Sequence, residues 1–195
     1  KFPRPRRASP RVRSALALGL ALLGAAAARA GDPTRELLRQ SVEADRAGGE
    51  VRIGRDRLAS TTLLPDLYEQ AGFELLWTRP GAAEGLFAAV RGAEAHGLDP
   101  NDYHRPEIER LLGAGSLDAA QRVDLDLLLT DALVRLAYHL TFGKVDPERL
   151  DPDWNGARDI DDVDPVDVLR RTLEAEDVAK EIAAFAPSHP VYARF

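Results

Sequence analysis

The clearest pattern of apolar and polar positions lies between Asp118 and Gly143. Leu125, Leu128, Leu129, Ala132, Leu133, Leu136, Ala137 and Leu140 keep the i, i+3, i+4, i+7 spacing of one helix face without a break. Asp118 with Gln121 three residues on resembles a capping box, with Asp where Ser or Thr is usual. Gly143 offers the stop. The pattern predicts a helix of about 24 residues, about 36 Å long at 1.5 Å per residue. Leu127 adds apolar surface off the main stripe, so this helix is predicted to be central.

Weaker periodicities predict shorter helices on either side. Asp32-Pro33 opens one that runs to about Asp45 with Leu37, Leu38 and Val42 on a face, and Ala47-Gly48-Gly49 stops it. Thr61 or Thr62 caps the next, which carries Leu63, Leu64, Leu67 and Tyr68 and ends at Ala71-Gly72. Pro80 opens a third, with Leu86, Phe87 and Val90, running to about His96 before Gly97. Asp99 to Asp102 reads as a turn, and about Pro106 to Leu112 as a short helix. Asp164-Pro165 starts a helix through Leu173, and another spans Asp177 to Phe185. Extended character is confined to Val51–Ile53 and Phe73–Trp77. The expected fold is mainly α: a helical domain with one long central helix and at most one or two short strands.

Charge divides the chain. Of 26 Lys and Arg, seven stand before Gly31, where there is no acid; the remaining 19 face all 32 acids, so the rest of the chain carries −13. Such an acidic body argues against a nucleic-acid surface. The N-terminal segment itself has five arginines up to Arg13, an apolar stretch from Ala15 to Ala28, and the small-x-small site Ala28-Arg29-Ala30 before Gly31. This is the layout of a secretory signal peptide cleaved between Ala30 and Gly31. The alternative is an uncleaved anchor over residues 14–28, although that stretch falls short of the roughly 20 residues a span needs. The expected domains are a signal peptide over 1–30, a helical lead-in over 31–60 and the main domain over 61–195. Lys1 in place of a starting methionine points to a truncated N-terminus. Few lysines, many arginines and abundant alanine fit GC-rich coding, and a bacterial periplasm is the natural compartment.

Candidate chemistry is sparse. With no cysteine, the chain supplies no disulfide, thiolate metal site or cysteine nucleophile. The histidines His96, His104, His139 and His189 show no zinc-site spacing. Asp159, Asp161, Asp162 and Asp164 form the densest acidic cluster; it does not match the twelve-residue calcium loop. Helix capping and solvation account for these residues better than an acid–base hydrolase does. There is no Gly-x-Ser-x-Gly, Walker or Gly-x-Gly-x-x-Gly motif. The residues therefore suggest a binding or scaffolding module, or a piece of an enzyme whose active site lies elsewhere, and no catalytic, cofactor-binding or metal residue is assigned.

Three stretches together resemble the large multi-domain L,D-transpeptidases of the bacterial cell wall. They are Leu67 to Trp77, with Tyr68 and Trp77 and with Leu75 where the family has proline; Ala95 to His104, with Gly97, Leu98, Pro100 and Tyr103; and Leu129 to Pro147, with Asp131, Gly143 and Pro147, followed by Trp154. In that family all three lie in a scaffold domain upstream of the catalytic one. The resemblance implies a structural role for these residues. It implies no catalytic residue here, because the family's Ser-His-Gly-Cys type motif has no counterpart. It further implies partners: catalytic and peptidoglycan-binding domains of the same polypeptide, and peptidoglycan stem peptides through them. The implied chemistry is a 3→3 cross-link made through a cysteine thioester with release of D-alanine. On this reading the chain is signal peptide plus scaffold; the alternative is a stand-alone periplasmic interaction module.

Overall fold

The computed structural model describes residues 32–145, 163–189 and 192; apart from Asp32 and Pro33 these belong to one compact unit, Thr34–Phe195. The fold is mainly α. Seven α-helices occur among the described residues: α1 (Pro33–Arg46), α2 (Leu63–Gln70), α3 (Ala82–Gly92), α4 (Arg105–Leu112), α5 (Ala119–Phe142), α6 (Pro165–Glu174) and α7 (Val178–Ala183). Two short 3₁₀ turns, Ala93–His96 and Pro100–Tyr103, join α3 to α4. A two-stranded antiparallel ribbon of β1 (Arg52–Ile53) and β2 (Asp56–Arg57) precedes α2, with Arg52 opposite Arg57 and Ile53 opposite Asp56. Gly54, at the turn between them, takes the left-handed φ of 61° that favours glycine.

Helix α5 is the axis of the fold. Asp118 accepts the Gln121 N–H at 2.8 Å, and the Gln121 side chain accepts the Asp118 N–H at 3.0 Å, so both halves of the capping box form. Every residue from Leu127 to Leu133 is buried. This middle stretch has no solvent face, and α5 packs against α2, α3, α4, α7 and the second 3₁₀ turn. Leu127, off the main stripe, is as buried as the stripe itself.

The remaining helices close around this axis. Helix α3 lies against α7, where Gly85 lets the backbones approach; a Cβ at Gly85 would sit 3.3 Å from the Val178 Cβ. Helix α6 packs on α2 and α7. Arg79 ties the end of α6 to the chain before α3, donating to the carbonyl oxygens of Leu173 at 3.3 Å and of Ala175.

The segment Phe73–Trp77 is not a strand. Gly72 and Phe73 both take positive φ, 62° and 59°, which turns the chain sharply after α2. Its Leu76 and Trp77 N–H groups then find a side chain of α5 instead of a neighbouring strand. Helix α3 ends at Gly92, and the stretch to His96 continues as a 3₁₀ turn before Gly97 at φ 72°.

Candidate functional site

Three polar side chains interrupt the apolar surface of α5: Asp126, Thr130 and Asp131, all under 4% exposed. Burying such groups is costly unless each lone pair and proton finds a partner. Each of them does.

Asp126 and Thr130 hold the loop after α2. The Tyr68 hydroxyl donates to Asp126 Oδ1 at 2.7 Å and lies 2.8 Å from Thr130 Oγ1. The Leu76 N–H donates to Asp126 Oδ1 at 3.1 Å, and the Trp77 N–H donates to Oδ2 at 3.0 Å. The Trp77 indole N–H donates to Thr130 Oγ1 at 3.0 Å. One carboxylate thus pins three points of the segment between Tyr68 and Trp77. Burial pushes the Asp126 carboxyl up, and the donors from Tyr68, Trp77 and Leu76 only partly offset it. Burial, with the Asp126 charge beside it, holds the Tyr68 hydroxyl well above its usual range.

Asp131, five residues further along α5 than Asp126, makes the second clamp. Its Oδ1 accepts the N–H groups of Ala59 at 2.8 Å and Ser60 at 2.7 Å, fixing the chain ahead of α2. Its Oδ2 lies 2.6 Å from His104 Nε2, and His104 Nδ1 lies 3.0 Å from Asp56 Oδ1 on β2. His104 is 2% exposed and adopts φ 58°, a left-handed conformation rare for a non-glycine residue. Burial alone would lower its pKa, but the bonds to Asp131 and Asp56 outweigh burial and the imidazole is raised above 6.5. Burial would raise Asp131, and the His104 bond overrides it, leaving the carboxyl below 3.8. Each group thus holds the other charged.

An aspartate–histidine–aspartate line has the outline of an acid–base relay. Both ring nitrogens of His104 are engaged by carboxylates, however, so neither is left to take a proton from a substrate. The arrangement is a structural latch. His139, one turn from the end of α5, contacts the Tyr103 hydroxyl through Nδ1 at 2.8 Å; burial and the nearby Arg135 and Lys144 push its pKa below 6.5. Burial, with Asp102 adding to it, pushes the Tyr103 hydroxyl up to about 12. Among the described residues no group of three or more His, Asp or Glu is placed to hold a metal, and no helix is long and apolar enough to cross a membrane.

The residues singled out in the sequence therefore distribute as follows. Tyr68, Trp77, Tyr103 and Asp131 converge on α5. Leu98 and Pro100 are buried around the two 3₁₀ turns, and Gly97 and Gly143 take positive φ at the ends of helical segments. Ala30, Gly31, Pro147 and Trp154 lie outside the described residues, as do Asp159, Asp161 and Asp162; Asp164 caps α6 through the Val166 N–H at 2.9 Å. Sequence reasoning missed Asp126, Thr130, Asp56 and the buried role of His104. The available signal was the presence of polar residues inside the apolar run of α5.

Beside the second clamp lies a cavity of about 550 Å³ between the chain at 59–63, the C-terminal half of α5, and α6. Its walls are chiefly apolar, with Tyr138, Phe142, Val168 and Phe185 among them, and Ser60, Thr61, Thr62, Arg135, His139 and Thr141 line it as polar residues.

No curated protein and no solved structure matches this chain. A family model described as "Scaffold domain" matches residues 62–195. That span takes in α2 to α7, including Tyr68, Trp77, His104, Asp126, Thr130 and Asp131. The chain belongs to the Scaffold domain family.

Proposed function

We propose that this scaffold domain serves a periplasmic L,D-transpeptidase, as a rigid non-catalytic body that holds the enzyme's catalytic and peptidoglycan-binding domains in register. The observation that carries this reading is the use made of the motif residues. Tyr68, Trp77 and Asp131 spend their polar atoms locking segments 27–72 residues apart in sequence onto one helix. None presents a reactive group to solvent. Rigidity is what a positioning body must supply, because a misplacement of about 1 Å can cost roughly 100-fold in rate when geometry carries the catalysis.

The full enzyme would attack the bond between meso-diaminopimelate and D-alanine in a tetrapeptide stem through a cysteine thiolate. This chain has no cysteine. Incubated with tetrapeptide muropeptides, the 195-residue chain is expected to give no 3→3 dimers by mass spectrometry, whereas the same chain joined to a cysteine-bearing transpeptidase domain gives them. Dimers formed by the chain alone would overturn the non-catalytic role. A joined protein that works equally well without residues 62–195 would overturn the positioning role.

The compartment follows from the charge step at Gly31 and the Ala28-Arg29-Ala30 site. Export with cleavage after Ala30 is expected. Mass spectrometry of the periplasmic product then shows Gly31 as the first residue, and a mature protein that retains Arg13 would count against it.

A further inference from the structure

We propose that the cavity between the 59–63 segment, α5 and α6 is a binding site for a small carboxylic acid with an apolar body, such as a medium-chain fatty acid. Its volume of about 550 Å³ falls within the range of about 300–1,000 Å³ that small-molecule sites occupy. The walls are chiefly apolar, and among the described residues the polar lining is Arg135, His139 and the hydroxyl residues Ser60, Thr61, Thr62, Tyr138 and Thr141.

Those polar groups suit an anion. Among the described residues no acidic one lines the cavity, although the chain as a whole carries −6. Arg135 is the one formal cation among the described lining residues, since His139 is pushed toward its neutral form by burial and by Arg135 itself. The Arg135 side chain is 25% exposed, and its one ion pair among the described residues is too long for a hydrogen bond. Its nearest carboxylate oxygen, Asp131 Oδ2, is 3.7 Å away and already held by His104 at 2.6 Å. It lies over the Tyr103 ring, 5.9 Å from the centroid, which fixes the side chain without using its donors. A planar fork of five N–H donors in that state fits a carboxylate in two-point contact.

A second observation is independent of Arg135. The Ser60 hydroxyl is buried and has no hydrogen-bond partner among the described residues, while Ser60 lines the cavity and its N–H is fixed by Asp131. An unpaired buried hydroxyl in a native fold needs an explanation, and a ligand acceptor reached by a turn about its Cα–Cβ bond supplies one. Thr61, Thr62 and Leu63 line the cavity as well, where α2 starts without a side-chain cap. Carboxylate against Arg135 and Ser60, and apolar body along Tyr138, Phe142, Val168 and Phe185, is the pose the chemistry favours.

The test compares four probes on the 195-residue chain by titration calorimetry: octanoate, 1-octanol, acetate and octyltrimethylammonium. Octanoate is expected to bind one per chain, with octanol weaker by about ten-fold or more, the order of a charge-assisted hydrogen bond. Acetate and the ammonium probe should bind more weakly still. Arg135→Gln should remove the gap between octanoate and octanol while leaving octanol binding in place, and Ser60→Ala should narrow it. Because Arg135 also sits near Asp131, thermal melting of Arg135→Gln must show a cooperative fold; octanol binding by the variant is the second proof that the cavity persists. Equal affinity for octanoate and octanol, an unchanged gap in Arg135→Gln, or no heat from octanoate would overturn the proposal. These outcomes leave the transpeptidase reading untouched, since that reading is tested by cross-linking.

Discussion

Replacing Asp131 with alanine is expected to cost about 3–5 kcal/mol of folding stability, the range found when one partner of a buried charge pair is removed. Against a total of roughly 5–15 kcal/mol for an ordinary domain, that is a large share. The loss has three parts. The Ala59 and Ser60 N–H groups lose their acceptor, His104 loses its bond at Nε2, and a void opens beside α5. Asp131→Asn separates these parts. Its amide oxygen keeps the role of Oδ1, so the N–H groups stay satisfied. Its NH₂ faces His104 Nε2, which must then accept, and the imidazole is held neutral instead of charged. The cost of the asparagine variant should therefore be smaller, and its signature should be in the pH profile.

The sign of that profile follows from the two shifts. His104 is raised above 6.5 in the fold, so its stabilisation is fully present below pH 6.5 and fades as pH rises through the raised value. Asp131 is lowered below 3.8, so its stabilisation is present above pH 3.8 and fades as pH falls through the lowered value. The latch is at full strength between 3.8 and 6.5. Asp56 and Arg135 are the other charged groups against it, on β2 and one turn along α5. Urea unfolding measured at several pH values should show the difference between wild type and Asp131→Asn shrinking as pH rises beyond the His104 transition. A difference constant with pH would mean that His104 is not charged in the fold.

How much of this was legible beforehand depends on whether the cause was local. The capping box of α5 needs only residues 118 and 121, and the helix starts at Pro33 and Pro165 need only their preceding acids; all were readable. The 24-residue length of α5 followed from its stripe and from Gly143. The β1–β2 ribbon was half missed, because Asp56 and Arg57 carry no apolar alternation. Phe73–Trp77 looked like a strand because it is apolar and aromatic. Its Leu76 and Trp77 N–H donors are spent on a carboxylate 49 or 50 residues further on, which no local pattern encodes. The same holds for His104. Its spacing to Asp56 and Asp131, 48 and 27 residues, fits no ligand motif, and only the packing of α4 and the second 3₁₀ turn on α5 brings the three together. The motif residues Tyr68, Trp77 and Asp131 were legible by resemblance; their partners Asp126 and Thr130 were not.

Truncating Leu133 to alanine is expected to cost about 2–5 kcal/mol, with the upper half of that range favoured by its place in the fold. The penalty has a transfer part and a cavity part, and the cavity part depends on how far the surroundings can close in. Leu133 is fully buried on α5. That helix is held on one side by the Tyr68–Asp126–Trp77 clamp and on the other by the Asp131–His104–Asp56 latch, so it cannot slide or tilt into the void. The neighbouring helices are in turn tied to it, and little relaxation is open to them. Urea unfolding should show a lower midpoint at an unchanged slope, since the surface exposed on unfolding hardly alters. Leu37→Ala on α1 is the control: Leu37 is 38% exposed, and its loss should fall within about 0.5 kcal/mol of wild type. If the two variants unfold alike, α5 is not the axis of the core. The clamps would then hold a peripheral helix, and the rigidity that the positioning role requires would have to come from elsewhere in the chain.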